Sequence, residues 1–223
     1  RYRNIFGVTL GTGFGGGLVV NNQLYIGDNS AGAEIWLMRN GIDVYCFAEE
    51  GASIRAVQGI YHSNSRNKEP ETLSPKEIFD ILEGKKEGDM VAARLAFQTL
   101  GVVVGDALAN AVTLTDSLVV IGGGLANSYK YFAPSMFYQL NGKIQNLKGG
   151  EVDRLELKAF NLEDVQQQEL FTKGELRKIK VPFSSREVDY DPLKRFGVGL
   201  SRLGTSHAVA VGAYAFALKK LDE

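Results

Sequence analysis

The first 26 residues alternate between apolar runs and turn-forming residues, as β-strands and their connections do. Apolar stretches at 5–10, 17–21 and 23–26 are separated by a glycine-rich run and by the pair Asn21-Asn22, which favours a hairpin turn. The pattern predicts a β-meander at the start of the chain, whose first hairpin carries glycines at its tip.

Helical spacing of apolar residues dominates the middle of the chain. The longest helical pattern covers 88–113, where the small residues Gly101 and Gly105 would allow another element to approach closely. Further helices are predicted at 51–60, 74–83, 133–145 and 206–221, the last packed tightly through its small residues, and strands at 118–121, 155–160 and 177–183. The chain is therefore predicted to be an α/β protein with a central mixed sheet.

Two glycine clusters follow apolar strands. The first is Gly11-Thr12-Gly13-Phe14-Gly15-Gly16, and the second is Gly122-Gly123-Gly124. Glycine lets a bound group approach the backbone, and consecutive free N–H groups form a concavity that suits phosphate. The first cluster lacks the Lys-Ser/Thr ending of a P-loop and leads into a strand, so it is not a dinucleotide fingerprint either. We predict that both clusters border one nucleotide cleft; the alternatives are a purely structural hairpin for the first and a helix-start or strand-end turn for the second.

Composition excludes several classes of protein. The 223 residues are 44% hydrophobic and 23% charged, with a formal net charge of −1, which gives no support to nucleic-acid or anionic-membrane binding. A single cysteine, Cys46, and two histidines offer neither a disulfide framework nor metal-ligand spacing, and they suit a reducing, cytoplasmic compartment. No apolar run reaches the roughly 18 residues of a membrane span.

The beginning of the chain predicts a fragment. It opens Arg1-Tyr2-Arg3-Asn4, without an initiator methionine, and enters a core strand at once. We therefore expect this chain to be part of a longer polypeptide.

Three motifs, in order, resemble the ROK family of bacterial sugar kinases and related repressors. They are Val8-Thr9-Leu10-Gly11-Thr12-Gly13 with Ala31-Gly32-Ala33-Glu34 after it, then Val120-Ile121-Gly122-Gly123-Gly124-Leu125, then Ser201-Arg202-Leu203-Gly204-Thr205-Ser206-His207. The similarity covers most of 5–59, 88–126 and 200–218. It implies the actin-like ATPase (ribonuclease H-like) fold, with 1–223 as the C-terminal lobe of a two-lobe kinase and the N-terminal lobe absent.

The resemblance also implies roles for particular residues. Gly11, Thr12 and Gly13 would hold the phosphates of Mg-ATP, and Gly122, Gly123 and Gly124 would lie along the adenosine. Glu34 would accept hydrogen bonds from a hexose or amino sugar. The catalytic aspartate of the family lies in the missing lobe, so we expect no turnover by this chain alone. The resemblance also implies a homodimer, because ROK-like proteins commonly pair through this lobe.

The chain departs from the family pattern after Glu34. Ile35-Trp36-Leu37 follows, so that Leu37 stands at the position of a zinc-binding histidine, and only Cys46 remains of the usual thiolates. We therefore expect no bound zinc. We expect Trp36 and Phe47 in the core or an interface, and the second family glutamate falls near Ile54 or Arg55.

Two other functions remain open at this point. One is a non-catalytic, sugar-sensing ROK-type transcriptional regulator or pseudokinase. The other is an assembly ATPase with the actin-like fold. Residues upstream of this chain would discriminate these possibilities, because kinases carry an Asp-x-Gly-Gly-Thr loop there and regulators a helix-turn-helix.

Overall fold

A computed structural model describes residues 2–67 and 71–222. Within these residues the strands are β1 (Ile5–Leu10), β2 (Phe14–Val20), β3 (Gln23–Tyr25), β4 (Leu118–Gly122), β5 (Lys143–Gln145), β6 (Glu151–Asp153), β7 (Lys158–Asn161), β8 (Arg177–Lys180), β9 (Glu187–Tyr190) and β10 (Arg195–Leu200). The α-helices are α1 (Ile54–Asn64), α2 (Pro75–Leu82), α3 (Met90–Thr115), α4 (Tyr129–Leu140), α5 (Val165–Lys173) and α6 (Thr205–Asp222).

The main sheet has the order β3-β2-β1-β4-β10-β7. Strands β1, β2 and β3 form the antiparallel meander that the sequence predicts, whereas β4, β10 and β7 run parallel to β1. The hairpins β5–β6 and β8–β9 form separate small sheets. The predicted α/β class with a central mixed sheet is confirmed.

Strand β2 begins at Phe14, three residues earlier than predicted, because the glycines continue the strand. Gly15 and Gly16 pair with Thr9 and Val8 of β1 in the antiparallel register. Ladder hydrogen bonds use the backbone alone, so residues without side chains can extend a strand wherever neighbouring chains hold them in place. Low strand propensity is overridden here by tertiary contacts.

Helix α3 is the centre of the core and packs along α4. A Cβ at Gly105 would lie 2.7 Å from the carbonyl oxygen of Met136, and one at Gly101 would collide with the carbonyl oxygen of Phe132. The predicted close approach through small residues is confirmed. Although α3 is long and apolar enough to cross a membrane, 67% of its most apolar window is buried inside the protein, as expected for a core helix.

The predicted ends of two helices, α2 and α4, fare differently. The helix predicted at 74–83 begins as expected at Ser74, which caps α2, and the structure adds a capping box with Glu77. The helix predicted at 133–145 is wrong at both ends, because α4 starts at Tyr129 and ends before Gly142. Pro134 lies inside this helix instead of at its first turn, and β5 takes the residues that follow Gly142.

The predicted tight packing of the last helix is wrong. Its side chains are largely exposed, including Tyr214 at 75% and Leu221 at 83%. Val209 of α6 lines both of the cavities described next, and Ala208 lines one of them. Small residues allow close packing but do not themselves supply a partner surface.

Candidate nucleotide and sugar site

The first glycine turn joins β1 to β2 and is tied down at its base. The N–H of Gly11 donates to the carbonyl of Gly13 at 3.0 Å, which closes the turn. The carbonyl of Gly11 accepts from the N–H of Ile54 at 2.8 Å, at the first residue of α1. The turn is therefore held both by the hairpin and by the start of a helix.

The second glycine cluster lies against the first. Because β4 is parallel to β1, with Thr9 opposite Gly122, both clusters lie at the carboxyl edge of the sheet. Gly123 has a φ of +93°, and a Cβ there would lie 2.6 Å from the backbone nitrogen of Leu10. Only glycine allows this contact, which brings the two turns together.

A cavity of about 620 Å³ lies between these turns. It is lined by Thr9, Gly11, Thr12, Gly13, Phe14, Gly15, Trp36, Glu49, Gly123, Gly124 and Val209. Gly122 lines a neighbouring cavity of about 380 Å³ over the open face of the sheet. Five of the six glycine-cluster residues selected from the sequence therefore share one cavity, and the sixth lies beside it.

The backbone N–H groups of the first turn are not equivalent. The N–H of Gly11 donates to the carbonyl of Gly13, and the N–H of Phe14 donates to Oε2 of Glu49 at 3.0 Å. In the described part of the chain, Thr12 and Gly13 have no hydrogen-bond partner for theirs. Of the three backbone N–H groups predicted to face phosphate, that of Gly11 is therefore already paired within the turn, and those of Thr12 and Gly13 are the ones left unpaired by the described residues.

Glu49 is a cavity residue that the sequence does not reveal. It lies in a short 3₁₀ helix at Ala48–Glu50 and receives the N–H of Phe14, 35 positions earlier in the chain. Arg55 pairs with Glu49 at 3.2 Å and with Glu50 at 2.9 Å. The expected position of the second family glutamate, near Ile54 or Arg55, is thus occupied by the cation that balances Glu49.

Glu34 does not line the cavity directly. Its exposed carboxylate accepts a hydrogen bond from Nε1 of Trp36, and it is Trp36 that lines the cavity. The indole also makes a T-shaped contact with Phe47, with ring centroids 5.7 Å apart. Glu34 is therefore connected to the cavity through Trp36, which also packs against the core as the sequence predicts.

The region of the family's zinc ligands has different contacts here. The thiol of Cys46 donates to Oδ2 of Asp43 at 3.4 Å, and this hydrogen bond raises the pKa of the thiol above its ordinary value. Leu37 is 58% exposed. Among the described residues there is no group of three or more His, Cys, Asp or Glu side chains placed to hold a metal.

Comparison with known proteins decides the family. The model of the ROK family matches residues 1–156, which is more than half of the chain. The chain belongs to the ROK family. It is 31% identical over 135 residues to an N-acetyl-D-glucosamine kinase of Vibrio cholerae, an alignment that covers 56% of this chain and 44% of that protein.

Solved structures agree with this assignment. A glucokinase from Parabacteroides distasonis superposes with a TM-score of 0.88 at 42% identity, covering 98% of this chain and 59% of that one. A ROK family transcriptional regulator superposes with a TM-score of 0.51 at 20% identity, covering 61% of this chain and 37% of the regulator, which shows the shared fold alone. The chain thus spans about half the length of the relatives that it matches.

Proposed function

We propose that this ROK chain forms the ATP-binding C-terminal lobe of a two-lobe sugar kinase. The observation that carries the proposal is the single cavity bordered by both glycine turns, in which two adjacent backbone N–H groups, those of Thr12 and Gly13, have no partner among the described residues. Adjacent free N–H groups are a suitable site for a phosphate anion. The curated relatives, named as N-acetyl-D-glucosamine kinases, support the same activity.

The cavity suits a nucleotide in size and in charge. Its volume of about 620 Å³ falls within the few hundred to about 1,000 Å³ of small-molecule sites. Gly11 and Gly124 have no side chain to cover the backbone, and a Cβ at either position would meet open space. The backbone is therefore accessible to a ligand there. Glu49 adds a negative charge, but Arg55 and the N–H of Phe14 offset it.

Within this proposal the chain's own residues bind and orient the nucleotide. Thr12 and Gly13 donate to phosphate oxygens from the backbone, and the Thr12 hydroxyl adds a further donor. Bound Mg-ATP supplies the phosphoryl group, and its metal offsets the negative charge of the phosphates. Glu49 holds the turn in shape through Phe14 and stays paired with Arg55, so we do not assign it as the general base.

The family resemblance implies that an aspartate of the N-terminal lobe removes the proton from the sugar hydroxyl. We accordingly propose that residues 1–223 alone show no sugar-dependent turnover, and that the complete protein is a cytoplasmic homodimer that phosphorylates a hexose or amino sugar. The coverage of only 59% of the similar glucokinase is consistent with a further lobe.

The test is a coupled ADP-release assay on the complete protein, not on residues 1–223 alone. Glucose, N-acetylglucosamine and N-acetylmannosamine serve as substrates. We expect ADP release with at least one sugar, and an affinity for ATP about fivefold weaker in Thr12→Val, which loses one hydroxyl. Thr172→Val is the matched control, because that hydroxyl donates only to the carbonyl of Gln168 on exposed α5. Sugar binding without any ADP release would contradict the kinase and favour a ROK regulator.

A further inference from the structure

We propose that Trp36 is a sugar-recognition residue, which offers its indole face to an aldohexopyranose and positions the carboxylate of Glu34 for one of the sugar hydroxyls. The inference rests on the proposed sugar-binding function of this cavity. Trp36 belongs to the segment Ile35-Trp36-Leu37, which departs from the family pattern and has Leu37 at the position of a histidine. Three observations carry it.

The first observation is where Trp36 lies. Its side chain is half-buried, packs against the core on one side and lines the same cavity as both glycine turns on the other. An aromatic ring that borders an open cavity presents an apolar surface to whatever binds there. A pyranose ring has an apolar face of C–H groups, so it is the kind of ligand that such a surface accepts.

The second observation is the hydrogen bond between the indole and Glu34. Nε1 of Trp36 donates to one carboxylate oxygen of Glu34, while the carboxylate itself remains exposed. An ionised carboxylate has about four acceptor sites on two oxygens, so one indole N–H leaves capacity for hydroxyl donors. The aromatic face and an orientated acceptor are therefore held next to each other.

The third observation is how rigidly the local backbone is held. Trp36 lies in a 3₁₀ turn, Ile35–Leu37, whose first residue is buried. Ile35 packs over β2 at Gly16, where a Cβ would lie 3.0 Å from Cγ2 of Ile35 and would also collide with the carbonyl of Ala33. The glycines of β2 thus seat this turn, and they place Trp36 beside the first glycine turn.

In this arrangement ATP and the sugar are recognised by different residues. The free N–H groups of Thr12 and Gly13 face phosphate, whereas Trp36 and Glu34 offer an apolar face and an acceptor, which phosphate does not use. Substitution of Trp36 is therefore expected to change recognition of the sugar and leave recognition of ATP intact.

The experiment uses the complete protein and measures its steady-state kinetics and, by calorimetry, its affinity for the sugar. For Trp36→Leu, which removes the face and the donor, we expect KM for the sugar and the sugar Kd to rise about tenfold, with kcat and KM for ATP within about twofold. For Trp36→Phe, which keeps a ring but loses the N–H, we expect about a threefold rise in both sugar parameters. Tyr45→Leu is the matched control, since Tyr45 belongs to the same segment but is 96% exposed outside the cavity.

Each outcome decides the question. Unchanged sugar KM and Kd in a folded Trp36→Leu variant overturn the proposal, and so does an equal loss of kcat and ATP affinity, which would indicate a merely structural role. Should Trp36→Leu fail to fold, Trp36→Phe decides by the same criteria. Absence of ADP release from the wild type would contradict the kinase, whereas the calorimetric sugar affinities of the variants would still test Trp36.

Discussion

The two glycine clusters of the cavity look alike in sequence but serve the protein differently. In the first cluster, Gly13 and Gly16 make room for other parts of this chain, namely Glu49 and Ala33, whereas Gly11 faces open space. In the second, Gly123 is required by its φ of +93° and by the backbone of Leu10, whereas its neighbour Gly124 also faces open space. Each cluster therefore combines at least one glycine that the fold needs with at least one that it does not.

This contrast separates structural from functional glycines by a measurable criterion. A glycine whose missing Cβ would strike protein atoms is explained by the fold alone. A glycine that lines the cavity without such a neighbour has no structural requirement, and close approach of a ligand is the remaining physical reason for it. Gly11 and Gly124 meet this second description, one from each turn.

The largest loss of folding stability is expected for Gly123→Ala. The new residue would have to keep a left-handed backbone, and its methyl group would clash with backbone atoms of Leu10. Those atoms cannot move without disturbing β1. Strain and overpacking together should lower the free energy of unfolding by at least ~3 kcal/mol. Urea denaturation followed by circular dichroism measures this loss.

Gly124→Ala is the matched control for that measurement. It adds the same methyl group one residue later, with no atom within 4 Å and no positive φ. A loss of stability in Gly124→Ala as large as in Gly123→Ala would show that the criterion does not separate the two glycines.

A smaller loss is expected for Gly16→Ala. Its backbone φ is not positive, so the penalty comes only from overlap with the carbonyl of Ala33 and with Ile35 in the turn that carries Trp36. Overpacking of this kind should cost about 2 kcal/mol of unfolding free energy. The measurement is again urea denaturation, and wild-type stability in the variant would mean that the segment around Ala33 shifts without cost.

The strands and the helix cap were predictable because their signals are local. The apolar run at 5–10 and the helix start at Ser74 each depend on residues a few positions apart. The role of Glu49 was not predictable, because it depends on contacts with Phe14, 35 positions away. Trp36 packs against the core as expected, but its exposure to the cavity was not predictable, because that depends on how Ile35 packs over Gly16 of β2.

For Gly13→Ala the expected loss of stability depends on a single side chain. A Cβ at this position would lie 2.5 Å from Oε2 of Glu49, so the carboxylate must leave and release the N–H of Phe14. Losing one hydrogen bond to a charged group should cost about 1.5 kcal/mol. In a double-mutant cycle with Glu49→Ala, we expect Gly13→Ala to cost less than about 0.5 kcal/mol. Equal costs in both backgrounds would contradict the assigned clash.

The smallest effect on stability, and the most informative for function, is expected for Gly11→Ala. A Cβ there meets no atom within 4 Å, and φ is not in the left-handed region, so the unfolding free energy should change by less than ~1 kcal/mol and could even rise. The methyl group would nevertheless project toward the cavity beside the free N–H groups of Thr12 and Gly13. If that space belongs to a phosphate of ATP, the Kd for ATP should increase about tenfold, as measured by displacement of a fluorescent ATP analogue. Unchanged ATP affinity in this stable variant would mean that the open space at Gly11 is not used by the nucleotide, and the contrast between the two kinds of glycine would then concern folding alone.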